Sequence, residues 1–199
     1  MTIAVTGPFA SGKSTFVRLL GELGAETLSA DEVVHDLLSD DEQTVSRVVE
    51  RFGDEVLGER GVDRGVLGRK VFGDPEALRD LENILHPLVR RETWRRVAAS
   101  EAELFVTEVP LLFEGGSSAD YDYTVAVTIP EERRRAWAAE RGVDEATLKG
   151  IEARQLSQEQ KATLADVVVQ NDGGVDKLKK QAEELKARSL GGSVLQQEE

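Results

Sequence analysis

The sequence has 199 residues, 40% hydrophobic and 32% charged, which is enough chain for one well-packed globular core. The formal net charge of −13 argues against nucleic acid as a partner, and the absence of cysteine excludes disulfides and thiolate metal sites. The N-terminal apolar segment is too short for a signal peptide, and no apolar run approaches the ~20 residues of a membrane span. These features predict a cytoplasmic protein with no membrane partner.

The first predicted elements are a short buried strand, a glycine-containing loop and a helix. The strand covers residues 2–6, and the loop Gly7–Ser14 matches the spacing G-x-x-x-x-G-K-[ST] without a mismatch. Apolar residues then recur at helical spacing from Lys13 to about Leu23, where Gly24 favours a C-cap. This context is typical of a phosphate-binding loop, because glycines allow backbone N–H groups and the helix N-terminus to face an anion. The sequence therefore predicts that the protein binds a nucleoside triphosphate.

Residue types within this loop predict separate contacts with ATP and magnesium. Lys13 is expected to reach the β- and γ-phosphates and to act catalytically, and the Ser14 hydroxyl is expected to ligate Mg²⁺. Pro8 fixes φ and lacks an N–H group, so we expect this end of the loop to be stiffer. The loop residues expected to bind ATP are Gly7, Ala10, Ser11, Gly12, Lys13, Ser14 and Thr15.

The middle of the chain is predicted to be a largely helical block, residues 32–101. Apolar stripes predict helices from Glu32 onward, and residues 53–65, rich in Gly, Asp and Arg, are interpreted as a connecting loop. A helix is expected to start at Asp74-Pro75, and His86-Pro87 is expected to break or kink it, with a further helix beyond.

Strand patterns recur along the rest of the chain. Strands are predicted at residues 26–29, 104–108, 123–129 and 166–169. Asp144 is expected to cap a short helix, and Ser157–Gln160 matches a capping box. Strands interleaved with helices predict an α/β fold with a five-stranded parallel sheet covered on both faces, as in P-loop kinases of the nucleoside monophosphate type.

This pattern also predicts a division of the chain. The expected parts are a nucleotide-binding core of residues 1–31, 102–130 and 161–189, a substrate block of residues 32–101, a lid of residues 131–160 and a flexible tail of residues 190–199. Insertions of this kind are typical of enzymes that exclude water while they move a phosphoryl group.

Some nucleotide-binding classes are excluded by missing motifs. A GTPase requires N-K-x-D and D-x-x-G elements, and neither spacing occurs here. A motor or transporter ATPase requires a much longer chain. The remaining interpretations are a small-molecule kinase and a nucleotide-binding sensor without catalysis.

Several further segments occur in an order that resembles the dephospho-coenzyme A kinase family. The segments are Leu23-Gly24-Ala25, Ser29-Ala30-Asp31, Val62-Asp63-Arg64, Leu81-Glu82-Asn83-Ile84-Leu85-His86-Pro87, Arg154-Gln155, Ala165-Asp166 and Asn171-Asp172-Gly173. The most distinctive segment is E-V-P-L-L-F-E at residues 108–114. The resemblance implies ATP- and Mg²⁺-dependent phosphorylation of the 3′-hydroxyl of dephospho-coenzyme A, the last step of coenzyme A synthesis. It also implies small-molecule partners only, and we expect a monomer or small homo-oligomer.

The resemblance implies roles for two carboxylates. Asp31 would be the catalytic base that accepts the proton of the attacking hydroxyl; a helix N-cap is the alternative. The family more often has a second aspartate two positions earlier, where this chain has Ser29. Glu108 would hold magnesium through a water, and a strand-end acid in solvent is the alternative.

The resemblance also implies contacts with the acceptor substrate. His86 would lie beside dephospho-coenzyme A, although a core histidine is an equal alternative. The other residues expected to bind the acceptor are Thr6, Asp31, Arg64, Arg90 and Leu111.

Arginines of the predicted lid are candidates for neutralising charge on the transferring phosphoryl group. Arg141 is the preferred catalytic candidate, and a second lid arginine would come from Arg133, Arg134 or Arg135. Arg154 and Asn171 are expected to flank ATP on its ribose and adenine side. Other small-molecule kinases, of nucleoside or shikimate type, remain alternatives to the resemblance, as does the non-catalytic sensor.

Overall fold

The computed structural model describes residues 1–191, and the described chain contains a five-stranded sheet. The strands are β1 (Thr2–Thr6), β2 (Glu26–Ser29), β3 (Phe105–Glu108), β4 (Tyr123–Thr128) and β5 (Val167–Gln170). Their order across the sheet is β2-β3-β1-β4-β5, and β1 pairs in parallel with both β3 and β4. The predicted five-stranded parallel α/β sheet is therefore confirmed. Each strand starts or ends within one residue of its predicted bound.

Helices connect these strands. They are α1 (Lys13–Glu22), α2 (Ala30–Asp40), α3 (Glu42–Phe52), α4 (Arg64–Val71), α5 (Pro75–Ala99), α6 (Glu131–Glu140), α7 (Glu145–Glu152), α8 (Gln158–Leu164) and α9 (Val175–Leu190). The predicted caps are present, because Asp144 accepts from the Thr147 N–H and Ser157 forms a capping box with Gln160. No helix of residues 1–191 is both long and apolar enough to cross a membrane.

The chain divides into two compact units. One unit contains Met1–Leu28 and the chain from Ser100 onward, and the other is Ser29–Ala99. In the first unit, apolar side chains of the sheet pack against α1 and α9 around the fully buried Phe16 and Leu20. In the second, α2 to α5 surround a separate apolar core that includes the fully buried Val48.

The expected break at His86-Pro87 is wrong, because α5 is one helix of 25 residues with Pro87 inside it. Proline cannot donate to the carbonyl four residues earlier, which costs about 3 kcal/mol in a helix interior. α5 packs against α2, α3 and α4, and Leu85 and Leu88 are buried on either side of the proline. We infer that this tertiary packing offsets the local cost.

The bounds of two other predicted segments differ from the structure. α4 begins at Arg64, inside the connecting loop predicted over residues 53–65, so the predicted loop is too long by two residues. Leu190 belongs to α9, so the helix extends into the predicted tail. The rest of that tail, residues 192–199, lies outside the described residues.

Candidate active site

The loop between β1 and α1 has the backbone conformation of an anion-binding turn. Ala10 has φ of 61° and Gly12 has φ of 93°, both in the left-handed region. The Ser11 N–H donates to the Pro8 carbonyl at 3.2 Å and closes the turn. Left-handed residues turn successive N–H groups toward one hollow, and for alanine this conformation costs roughly 1–2 kcal/mol. Stored strain of this kind is typical of ligand-binding sites.

Gly7 and Gly12 of the loop must be glycine for two reasons: their φ angles are positive, and neighbouring atoms lie where a Cβ atom would be. A Cβ atom at Gly7 would lie 2.4 Å from the Val127 carbonyl oxygen of β4. A Cβ atom at Gly12 would lie 2.3 Å from Nδ2 of Asn171. The loop therefore packs directly against β4 and the residue after β5, with no space for a side chain.

Lys13 is buried at this loop, with an exposed fraction of only 7%. Its ammonium donates to the Pro8 carbonyl at 3.0 Å. Pro8 contributes no N–H group to the loop, but its carbonyl accepts hydrogen bonds from both the Lys13 ammonium and the Ser11 N–H. The lysine is thus pre-oriented within the hollow where a phosphate would bind.

Asn171 braces the loop from the side. Its side chain is buried, and its Nδ2 donates to the Ser11 carbonyl at 2.9 Å. Its backbone N–H donates to the Thr128 carbonyl at 2.7 Å, at the end of β4. The sequence analysis predicts only a nucleotide contact for Asn171, and sequence reasoning missed this contact with the loop backbone.

Ser14 and Glu108 lie together at the carboxyl end of the sheet. Glu108 ends β3 opposite Val5 of β1, and the Ser14 hydroxyl donates to Glu108 Oε1 at 3.1 Å. The Glu108 carboxylate therefore contacts Ser14 and does not face solvent only. A hydroxyl beside a carboxylate fits Mg²⁺, which prefers oxygen ligands and keeps waters or phosphates as its remaining ligands. Within residues 1–191 no three acidic or histidine side chains form a metal site by themselves.

The predicted lid packs on the phosphate loop. Ala138 of α6 and Leu148 of α7 form a small apolar cluster with Ala10. The Arg141 guanidinium, at the end of α6, lies 5.8 Å from the centroid of the Phe9 ring. The structure thus brings the preferred lid arginine to the loop.

The three candidates for a second lid arginine, Arg133, Arg134 and Arg135, all have partners on the protein. Arg133 stacks on Trp137 at 5.0 Å and donates to the Gly173 carbonyl at 2.5 Å. Arg134 is buried and donates to Glu131 at 2.9 Å and to Glu152. The structure therefore does not single out a second lid arginine.

Arg135 is exposed and pairs with Glu131 at 2.8 Å and with Glu145. The hydrogen bond from Arg134, and then that from Arg135, lowers the pKa of the Glu131 carboxyl against the opposing effect of burial. The hydrogen bond with Glu131 likewise raises the pKa of Arg134. Ion pairs therefore tie the lid helices to each other, in addition to the small apolar cluster.

The helical unit Ser29–Ala99 carries four of the residues predicted to act on the acceptor. Asp31 is exposed in the first turn of α2, and Ser29 is the N-cap, so the N-cap alternative for Asp31 is wrong. Arg64 is exposed at the start of α4. His86 and Arg90 are both exposed on α5, one turn apart, so the alternative of a core histidine is also wrong.

The remaining predicted residues lie in the unit that contains the sheet. Thr6 is buried, and its hydroxyl donates to the Pro110 carbonyl at 3.2 Å, beside the half-buried Leu111. Thr15 is half-buried in the first turn of α1. Arg154 is exposed just beyond α7.

Sequence reasoning missed Lys161 entirely. This residue of α8 is fully buried, and its ammonium forms an ion pair with Glu114 Oε1 at 2.7 Å. The available signal was weak: Lys161 precedes the buried Ala165 by four residues and so shares its helix face. A lysine in the middle of a short helix is otherwise unremarkable in a sequence.

The comparisons with known proteins agree with this geometry. A family model described as dephospho-CoA kinase matches residues 1–177. The dephospho-CoA kinase of Syntrophotalea carbinolica is 34% identical over 197 residues, which cover 96% of this chain and 93% of that protein. A crystal structure of a Thermus thermophilus protein has a TM-score of 0.81 at 33% identity, covering 94% of this chain and 97% of the other.

A more distant likeness concerns the fold alone. The shikimate kinase of Acinetobacter baumannii, solved in complex with shikimate, has a TM-score of 0.53 at 15% identity. The alignment covers 97% of this chain and 94% of that one. This similarity supports the P-loop kinase fold of the sheet and its helices.

Proposed function

The chain belongs to the dephospho-CoA kinase family, and from this premise we propose that it transfers the γ-phosphoryl group of ATP to the 3′-hydroxyl of dephospho-coenzyme A. The products are coenzyme A and ADP. Members of this family are ATP-dependent kinases. The observation that carries the proposal is the strained, braced phosphate loop whose Ser14 contacts Glu108, in a chain that the family model matches over residues 1–177.

On the nucleotide side, the loop binds the triphosphate through backbone N–H groups and the N-terminus of α1. The Lys13 ammonium neutralises charge on the β- and γ-phosphates, and the Arg141 guanidinium adds positive charge from the lid. Ser14 and, through a water, Glu108 would hold Mg²⁺, which neutralises phosphate charge when bound. Arg154 and Asn171 are proposed on the ribose and adenine side.

On the acceptor side, Asp31 is proposed as the base. A bond forms between the ribose 3′-oxygen and the γ-phosphorus, the bond from that phosphorus to the bridging oxygen of ADP breaks, and the hydroxyl proton passes to Asp31. His86 and Arg90, exposed one turn apart on α5, present one face to an anionic acceptor. Arg64, Thr6 and Leu111 complete the proposed acceptor contacts.

Another small-molecule kinase activity, on a nucleoside or on shikimate, is the principal rival. The likeness to shikimate kinase is one of fold at 15% identity, whereas the family model and the 34% identical relative extend over most of the chain. The family relationship therefore favours dephospho-coenzyme A as the acceptor.

The test is a coupled ADP-release assay with ATP, magnesium and a panel of acceptors. We expect turnover with dephospho-coenzyme A, little with shikimate or nucleosides, and loss of turnover when EDTA removes magnesium. Faster turnover of a nucleoside or of shikimate would contradict the proposal, and ATP binding without any turnover would support a sensor.

Asp31→Asn tests the proposed base. Removing a positioned base typically lowers turnover by about 10²–10⁴-fold, and we expect that loss in kcat with ATP affinity nearly unchanged. Glu32→Gln, at the neighbouring exposed carboxylate of the same helical turn, is the matched control. Wild-type kcat in the Asp31 variant would show that the base is another group.

A further inference from the structure

Lys161 carries a buried charge that the proposed reaction does not use. Its side chain has an exposed fraction of 0%, and its ammonium faces three oxygens. Nζ donates to the Pro110 carbonyl at 2.8 Å and to the Thr6 hydroxyl at 3.5 Å, and it pairs with Glu114 Oε1 at 2.7 Å. A buried ammonium is costly unless its three N–H donors are satisfied, and here each can point at an oxygen.

These three oxygens belong to two chain segments at the edge of the proposed site. Thr6 is the last residue of β1 and directly precedes the phosphate loop. Pro110 and Glu114 belong to residues 109–114, which we call the acceptor-side segment because it contains the proposed acceptor contact Leu111. This segment begins directly after Glu108, the partner of Ser14. Lys161 therefore links the chain just before the phosphate loop with the chain just after the proposed magnesium carboxylate.

The same contact network extends to the end of the lid. Glu114 Oε1, the atom that pairs with Lys161, also accepts from the Leu156 N–H at 2.8 Å. Leu156 lies in the connection between α7 and α8. The side chain of Glu114 is 17% exposed, so this oxygen receives two donors where it is partly shielded from water. Hydrogen bonds to a charged group are strong, and without the Lys161 ammonium this oxygen would keep the Leu156 N–H but lose its ion pair.

We propose that Lys161 is a positioning residue that fixes the acceptor-side segment against the end of β1 and so sets where the acceptor hydroxyl meets the phosphate loop. The inference rests on the proposed function. Lys161 acts through Thr6 and the acceptor-side segment and does not itself touch a substrate. Without its ammonium, the Pro110 carbonyl would keep the Thr6 hydroxyl and Glu114 Oε1 would keep the Leu156 N–H, but both would lose their contact with α8, so we expect the segment to shift. A displacement of about 1 Å can cost about 10²-fold in rate.

The experiment compares Lys161→Met, Glu114→Gln and the double variant with the wild type. It measures kcat and KM for dephospho-coenzyme A, affinity for a non-hydrolysable ATP analogue, Tm, and amide hydrogen exchange in residues 109–114. Lys179→Met, at an exposed lysine of α9, is the control for loss of a positive charge.

We expect Lys161→Met to lower kcat/KM for the acceptor by about 10²-fold, to speed exchange in the acceptor-side segment and to leave affinity for the ATP analogue nearly unchanged. It should also lower Tm, because the partly buried Glu114 carboxylate loses its cationic partner. The double variant removes both charges, so its Tm should recover while kcat/KM stays low and exchange stays fast.

Other results would overturn the proposal. Recovery of kcat/KM together with Tm in the double variant would show that Lys161 only stabilises the fold. Unchanged exchange in residues 109–114 of Lys161→Met would contradict the positioning role whatever the substrate. By contrast, a wild type that does not phosphorylate dephospho-coenzyme A would refute the proposed function, and the exchange measurement would still decide whether Lys161 fixes the segment.

Discussion

The phosphate loop and the lid helices lie against each other, yet they are held by different forces. The loop is largely buried, with Gly7 close to the Val127 carbonyl, Gly12 close to the Asn171 side chain, and its Ser11 carbonyl bonded to Asn171. The lid helices α6 and α7 bury few apolar side chains and are tied by ion pairs among Arg134, Arg135 and neighbouring glutamates. Steric and hydrogen-bonded constraints in a buried site respond little to salt, whereas exposed ion pairs are screened. We infer that the loop is preorganised for phosphate and that the lid is the more easily perturbed region.

The largest expected effect comes from the loop lysine. Lys13→Met removes a pre-oriented charge that is proposed to neutralise the transferring phosphoryl group. Loss of one such electrostatic contact typically costs about 10²–10³-fold in kcat, and steady-state kinetics measures it. Lys179→Met on α9 should leave kcat at the wild-type value. Near-normal kcat in Lys13→Met would contradict the proposal that Lys13 of the loop stabilises the transferring phosphoryl group.

The same substitution at two glycines should have opposite effects in the two regions. Gly12→Ala places a methyl group against Asn171 at a φ of 93°, so we expect unfolding free energy to fall by roughly 1–3 kcal/mol and ATP affinity to weaken. Gly150→Ala in α7 meets no atom within 4 Å and should stabilise that helix by about 0.5–1 kcal/mol. Chemical denaturation and ATP titration measure both changes. Equal effects at the two sites would remove the distinction between loop and lid.

Within the lid, burial should separate two neighbouring arginines. Arg134→Met leaves Glu131 and Glu152 without a buried partner, and loss of a charged hydrogen bond costs roughly 1.5–3 kcal/mol. Arg135→Met removes exposed pairs worth at most about 1 kcal/mol. Denaturation midpoints compare the two. In the ADP-release assay, a large loss of kcat in only one variant would identify the second lid arginine.

The smallest effect is a pH dependence of the lid. The Glu131 pKa is lowered by its hydrogen bond with Arg134, so its folded pKa lies below the ordinary value of 4.5. The resulting stabilisation is present above pH 4.5 and is lost as pH falls through the folded pKa. We therefore expect Glu131→Gln to lower Tm at pH 7 and to have a smaller effect at more acidic pH. A Tm difference that is constant with pH would contradict this ionic account of the lid.

Local sequence patterns were enough to predict the phosphate loop and most of the secondary structure of this protein. The loop Gly7–Ser14, its flanking strand and helix, and the alternation of strands and helices are all visible in stretches of ten or fewer residues, because each depends on backbone preferences and side-chain periodicity. The motif assigned Ser14 to magnesium and the family resemblance assigned Glu108, and in the structure these two side chains are hydrogen-bonded to each other. Sequence also placed Arg141 in the predicted lid, and the structure places this residue beside Phe9 of the loop.

Only the tertiary structure decided the contacts between distant segments. α5 continues through Pro87 because α2 to α4 pack around it, which overrides the local preference of proline. The bond from Asn171 to Ser11 spans 160 positions of the chain, and the contact from Lys161 to Thr6 spans 155. A sequence pattern fixes which face of a helix is buried, but the atoms that a buried polar group meets are set by how the whole chain packs. The contact of Asn171 with the phosphate loop and the burial of Lys161 are therefore visible only in the tertiary structure.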